Sequence, residues 1–285
     1  MNIEHLRTFL ILADLKNFTQ TAAKQYIVQS TVTNRIAELE KELGVSLFIR
    51  NNKSVSLTEE GSHLLEYAKR MIQLEDHART EIQNMQSYKQ VIRLGCVNTV
   101  YDCYLYPKIS AFLKSHLDIS LSLVIDHSNA LLTMLKDQTL DVIITYVPFN
   151  KADFHCIPYT TDQLVLVTAP SNDSFPEGIN KEKLSQINYL YCNYILEEDD
   201  TFLQELFENR KSFSFELDKG SKLKPYLLDG LGYSFVPRNL VTKELKKQKL
   251  IEIPLLDFDA PTIQSYMIYS KKRDDLEVLI KALSI

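Results

Sequence analysis

This chain of 285 residues lacks most of the signals that mark catalysts, membrane proteins and disulfide frameworks. Its four cysteines, Cys96, Cys103, Cys156 and Cys192, show no Cys-x-x-Cys spacing and no histidine at metal-ligand distance along the chain. No metal site is expected, and the thiols read as reduced core residues. No apolar run approaches the roughly 18 residues needed to span a bilayer. The stretch Met1–Arg7 has no basic region leading into an apolar one, so no membrane partner and a cytoplasmic location are expected. There is no Gly-x-Ser-x-Gly elbow, phosphate loop, His-Glu-x-x-His pattern or dinucleotide fingerprint, which argues against an enzyme and against a cofactor. Charge of one sign is missing too. The net charge is −5, and residues 1–60 carry seven Lys and Arg against seven Asp and Glu. A polybasic, non-specific binder of nucleic acid is excluded. Any affinity for nucleic acid would have to come from placed contacts and from several copies acting together.

What is present begins at residues 18–61. The periodicity predicts a short helix with Thr19 as its N-cap, a tight turn, and a second helix whose apolar stripe is Val32, Ile36, Leu39 and Leu43. Ala22 and Ala23 permit close helix crossing, and Gly44 suits a left-handed C-terminal cap. Upstream, Leu6, Phe9, Leu10 and Ala13 predict a covering helix. The opposite face of the second helix carries Thr31, Asn34, Arg35 and Glu38, with Gln29, Ser30 and Thr33 near its start. These are side chains that match base edges or hold phosphates. Leu47–Arg50 and Ser54–Leu57 flank the turn-rich Asn51-Asn52-Lys53, predicting a hairpin that brings Arg50 and Lys53 towards phosphates. The order helix, turn, amphipathic helix, hairpin places a polar helix face in the DNA major groove. The DNA-facing candidates are Thr19, Gln29, Ser30, Thr31, Thr33, Asn34, Arg35, Arg50 and Lys53.

From Thr58 to about Tyr88 there is no proline, and Gly61 is the only glycine. Leu64, Ala68, Met71, Ala78, Ile82 and Met85 recur at steps of four and three, with Glu75 as an interruption. The seam predicts a helix of roughly 45 Å, too thin to fold alone, whose simplest partner is a second copy. A symmetric dimer would read inverted half-sites on double-stranded DNA.

The pattern changes at Gln90. Strands are predicted at 91–97, 119–125 and 140–146, with helices at 104–116 (Leu105, Ile109, Phe112 and Leu113 inward) and 129–136, which implies a parallel sheet covered on both faces. A second lobe is expected from Asp162, with strands at 163–169, 189–192 and 213–217, helices at 202–208 and 222–229, and a turn through Gly230–Pro237. The chain returns at 266–269 and a final helix at 276–283. Two lobes joined by two crossings make a cleft. Ligands bind beyond the carboxyl ends of such strands, which singles out Asn98, Thr99, Val100, Tyr101, Ser128, Asn129, Tyr146, Lys219 and Ser221. His127 reads as a surface histidine. A helix start with Ser and Thr favours a carboxylate or other small anion.

The N-terminal segment resembles the DNA-binding domain of the LysR-type transcriptional regulators. The shared elements are Phe18-Thr19, Ala22-Ala23, Gln29-Ser30, Val32-Thr33, Ile36, Leu39-Glu40, Leu43-Gly44, Leu47-Phe48, Arg50 and Leu57–Gly61. Val28 departs from the pattern: it stands where the family usually has a Ser that caps the recognition helix, leaving Ser30 to cap it later. The rest resembles the family's effector domain, similar to periplasmic solute-binding proteins, through Leu94-Gly95, Leu140–Val142, Leu164–Val167 and Asp229–Pro237. Gln138-Thr139 departs where a Gly is common. The resemblance implies a winged helix-turn-helix at 1–58, a linker and dimerisation helix at 59–89, and a two-lobed α/β effector domain at 90–285. Lobe I is expected at about 90–161 and 266–285, lobe II at about 162–265. It implies a homodimer or homotetramer on a promoter, responding to a small-molecule effector. Some members sense oxidants through cysteines, so a redox role for Cys96 or Cys103 is one alternative. A solute-binding module without a regulatory role is the other.

Overall fold

The computed structural model describes residues 1–51, 54–84, 87–172, 174–192, 203, 206–207 and 212–284. The chain divides into two compact units, Met1–Ser87 and Tyr88–Ile285.

In the first unit, α1 (Ile3–Leu15), α2 (Phe18–Gln25) and α3 (Gln29–Leu43) are followed by the antiparallel pair β1 (Phe48–Arg50) and β2 (Val55–Leu57) and by α4 (Glu59–Asn84). The side chains of Asn2 and Asn17 accept the first-turn N–H groups of α1 and α2. Asn17 thus takes the capping role expected of Thr19, because it, not Thr19, holds the extended backbone just outside the helix. Lys16, Tyr26 and Gly44 end the three helices in left-handed backbone. The core joins Leu6, Phe9 and Leu12 of α1 to Ile36 and Leu39 of α3, Leu47 and Phe48 of the wing, and Ala68 and Ile72 of α4. Leu43, expected inward, is exposed at the end of its helix. Thr58 caps α4: its Oγ1 accepts the Gly61 N–H at 2.9 Å and donates to the Ser46 carbonyl at 2.8 Å. A Cβ on Gly61 would lie 2.2 Å from the Leu47 carbonyl oxygen, so this position demands glycine.

The expected seam on α4 splits. Ala68 is fully buried in the unit's own core and Leu64 is partly buried against that core. Met71, Ala78 and Ile82 are exposed, joined by Tyr67 and Leu74. Two neighbouring apolar stripes run down this helix, one used internally and one open. Met85 lies outside the described residues.

The second unit is built on a seven-stranded sheet. The strands β3 (Gln90–Cys96), β4 (Ile119–Ile125) and β5 (Val142–Thr145) are parallel, with β3 central. The helix after β3 begins with α5 (Asn98–Val100), passes through a π-helical segment Tyr101–Leu105, and continues as α6 (Tyr106–Ser115). It starts earlier than the expected residue 104, and Leu113 faces solvent. Pro107 has no N–H to give, and the Tyr106 N–H reaches back five residues to Tyr101. After α7 (Ser128–Lys136), Gln138 adopts φ 57, so a residue with a side chain fills the left-handed position where a glycine fits most easily.

The three strands expected to be parallel are so; the rest of the sheet is antiparallel. The strand β6 runs from Phe154 to Thr168, and its first part was not expected because Pro158 interrupts the pattern. It pairs with β11 (Thr262–Ser270), whose register shifts at Ser265/Tyr266, opposite that proline. The pair β7 (Tyr191–Cys192) and β8 (Glu216–Leu217) stands apart. The last residues of β6 pair with β9 (Ser234–Pro237) and β10 (Ile251–Glu252). Leu164 and Leu166 enter one core cluster while Val165 and Val167 enter another, as strand alternation requires. The architecture is a winged helix-turn-helix, a long helix and a two-lobed α/β domain. The helix expected at 202–208 falls mostly outside the described residues.

Candidate DNA interface and small-molecule cleft

The recognition helix α3 buries Val32, Ile36 and Leu39 and leaves Gln29, Ser30 and Asn34 exposed on the other side. Thr31 and Thr33 are half-buried, and the Thr33 hydroxyl donates to the Gln29 carbonyl at 3.1 Å. Thr19 donates to Gln29 Oε1 at 3.2 Å, tying the exposed end of α2 to the first residue of α3. Val28 is the N-cap and makes no side-chain cap bond; Ser30 sits inside the helix and does not replace it. The missing cap costs about 1 kcal/mol relative to Ser, Thr, Asn or Asp.

Two cations expected to face DNA are engaged inside the protein. Arg35 lies on the flank of α3, donating to Thr8 Oγ1 at 3.1 Å with Glu4 at 3.5 Å. Arg50 pairs with Glu40 at 2.7 Å and stacks over Phe18, 5.1 Å from the ring centroid. Glu40 also accepts the Leu47 and Phe48 N–H groups, so it locks the wing onto α3. Lys53 is outside the described residues. Arg7 binds Glu75 at 2.7 Å and also Asp76, and Glu75 takes a second cation, Arg79. Hydrogen bonds from Arg79 and Arg7 hold the Glu75 carboxyl below its usual range. The residue that interrupts the heptads is therefore an anchor between α1 and α4. Much of this unit's charge is thus taken up in ion pairs that knit helices together.

In the second unit side chains beyond the strand ends, distant in the chain, come together. Ser221 donates to Asn98 Oδ1 at 2.6 Å, and His127 Nε2 lies 3.7 Å from Asp218. Thr99 is buried and hydrogen-bonded to Tyr146, whose phenol is pushed above its ordinary range chiefly by burial. Ser128 is buried at the start of α7, and Asn129 is exposed beside it. Tyr101 packs edge-on against Tyr106. Lys219 is half-buried before a short 3-10 turn. Val100 is a core residue and does not line the cleft, since the helix already begins at Asn98 and turns its side chain inward.

Sequence reasoning missed a second long-range polar cluster. Tyr104 donates to Asp162 Oδ2 at 2.6 Å, and Asn239 Nδ2 donates to Asp162 Oδ1 at 2.6 Å and to the Tyr104 oxygen. Asp162 is buried on β6. Burial, then the bond to Asp162, raises the Tyr104 phenol. The three residues are far apart in the chain, and no local pattern marks them. Cys103 packs beside the lobe II cluster that contains Cys192. Burial, then neighbouring acids, pushes the Cys96 and Cys103 thiols up to about 12. Thiols held protonated in this way are poor nucleophiles, and the oxidant-sensing alternative is not favoured.

Comparison with known proteins matches both units. Residues 3–62 match the family of bacterial regulatory helix-turn-helix proteins of the lysR type, and residues 86–283 match the LysR substrate binding domain. The HTH-type transcriptional regulator CitR of Bacillus subtilis is 28% identical over 284 residues, covering 96% of each chain. The regulator PgrR of Escherichia coli is 26% identical, covering 95% of this chain and 92% of its own. Among solved structures, full-length CbnR complexed with its target DNA superposes with a TM-score of 0.73 at 17% identity over 99% of each chain. The helix-turn-helix match removes the reading of a solute-binding module without a regulatory role, and the relatives are regulators, not enzymes. This chain belongs to the LysR family of transcriptional regulators.

Proposed function

We propose that this regulator binds a promoter with inverted half-sites through the exposed start of α3, as a homodimer or homotetramer, and that a small molecule in the C-terminal cleft controls it. The observation that carries the reading is the polar surface of Gln29, Ser30, Thr33 and Asn34, set opposite a fully buried apolar stripe. Asn34 has the geometry to read a base edge. Arg35 and Arg50 act by fixing α3 and the wing, and Lys53 is retained as a phosphate contact. The open stripe of Met71, Ala78 and Ile82, with Tyr67 and Leu74, supports pairing of α4 with a second copy. Residues 1–58, 59–89 and 90–285 then act as reader, linker and controller, with the two lobes meeting near Asp162.

The effector is a small molecule with a carboxylate or other anionic group. Asn98, Thr99, Ser128, Asn129 and Ser221 offer neutral hydrogen-bond partners, α7 begins at Ser128, and Lys219 supplies a cation nearby. Binding that favours one lobe arrangement shifts the spacing of the DNA-reading pairs. The test uses the full-length chain. DNA selected from a random pool is footprinted with wild type and Asn34→Ala, and small carboxylates are screened by thermal shift against wild type and Thr99→Ala. Unchanged footprints overturn the reading of α3. A carboxylate that shifts both proteins equally overturns the assignment of Thr99.

A further inference from the structure

Val28 is unexplained by the protein's own packing. It holds the N-cap backbone of α3 with no cap bond, is 66% exposed, and does not belong to the unit's core cluster. Tyr26, two residues earlier, is 97% exposed. A branched apolar side chain here forgoes a hydrogen bond to the first turn of the helix and gains no burial in return. Its benefit must lie outside the chain.

The N-terminal residues of a recognition helix approach base edges. On those edges, in the major groove, the one apolar group is the C5-methyl of thymine. Polar groups follow it directly, with Gln29 held by Thr19 at 3.2 Å and Ser30 exposed next in the chain. We propose that Val28 is a specificity-determining residue that packs its methyl groups against the C5-methyl of a thymine in each half-site. The proposal rests on the reading of α3 as the base-reading helix. A serine at this position would cap the helix and leave that methyl without an apolar partner, so the substitution exchanges helix stability for thymine recognition.

The experiment uses the full-length chain and a duplex selected by it from a random pool, with each thymine replaced in turn by deoxyuracil, which lacks only the methyl. For wild type, one symmetry-related pair of replacements should weaken binding by about three- to tenfold, the scale of burying one methyl. Val28→Ser should lose that sensitivity at the same positions and raise the N-terminal unfolding midpoint, because it regains the cap. Val28→Thr caps the helix and keeps one methyl, so it should retain part of the sensitivity. The same deoxyuracil profile in wild type and Val28→Ser overturns the proposal, as does a wild-type profile with no sensitive thymine. An Asn34→Ala control separates the two failures. If Asn34→Ala weakens binding and Val28→Ser leaves the profile unchanged, only the role of Val28 fails; if neither substitution matters, the reading of α3 fails with it.

Discussion

The two units use polar side chains in opposite ways. In Met1–Ser87, charged groups are spent on holding helices to one another: Arg35 on α1, Arg50 on Glu40, Arg7 on Glu75 and Asp76. What is left exposed at the start of α3, Gln29, Ser30 and Asn34, is uncharged. In Tyr88–Ile285, polar groups near the strand ends bond to groups far away in the chain, Ser221 to Asn98, and Tyr104 and Asn239 to Asp162. The lesson is that a charged residue on a DNA-reading helix need not be a reader. Its flank position and its partners decide.

The strongest test of the contrast is to break each core separately. Ile36→Ala and Ile143→Ala remove fully buried side chains, each costing about 2–5 kcal/mol. Calorimetry or urea unfolding is expected to show two transitions, with Ile36→Ala moving one and Ile143→Ala the other. A single transition moved by both would mean that the units unfold as one. Next in size is the comparison of neighbours on α3. Asn34→Ala should lose roughly 5- to 150-fold in specific DNA affinity, equivalent to about 1–3 kcal/mol, at unchanged stability. Arg35→Ala should lower the stability of the N-terminal unit as well, since it removes one partner each from Thr8 and Glu4. A smaller effect is expected for Ser221→Ala, which removes one long-range hydrogen bond worth about 0.5–1.5 kcal/mol. It should lower the C-terminal transition and blunt the effector response while sparing DNA binding. The smallest effect concerns pH. The Arg273 guanidinium, by its hydrogen bond, holds the Asp275 carboxyl below its ordinary value. The unfolded chain therefore takes up the proton first as pH falls. The stabilisation is complete above the ordinary carboxylate range and fades as the solution becomes more acidic. Acid titration of the C-terminal transition should show a shallower decline in Asp275→Asn.

Legibility followed the same divide. Helix periods, the glycines at 44 and 61 and the missing cap at Val28 are local signals, and the N-terminal architecture could be read from them. The partners of Arg35 and Arg50 could not, because Thr8, Glu4 and Glu40 reach them only once the helices cross. The α4 seam was half legible: the period is real, but Ala68 and Ile72 serve the unit's own core, and a period does not say which stripe faces inward. In the C-terminal unit, the β-α-β alternation revealed three strands. The long strand β6 was hidden by Pro158, and the cluster of Tyr104, Asp162 and Asn239 exists only through long-range pairing. Asn98 and Ser221, which bond to each other, could be singled out because strand ends and helix starts are local features.

The position of β11 has a consequence for how this chain comes into being. It lies between β5 and β6 in the sheet, yet it is made after every other strand of that sheet. Contacts within residues 1–87 close early, whereas the sheet of the second unit stays open until Thr262–Ser270 has emerged. A nascent chain therefore carries a folded DNA reader for as long as it takes to synthesise its controller, and a message cut short before residue 262 would release the one without the other.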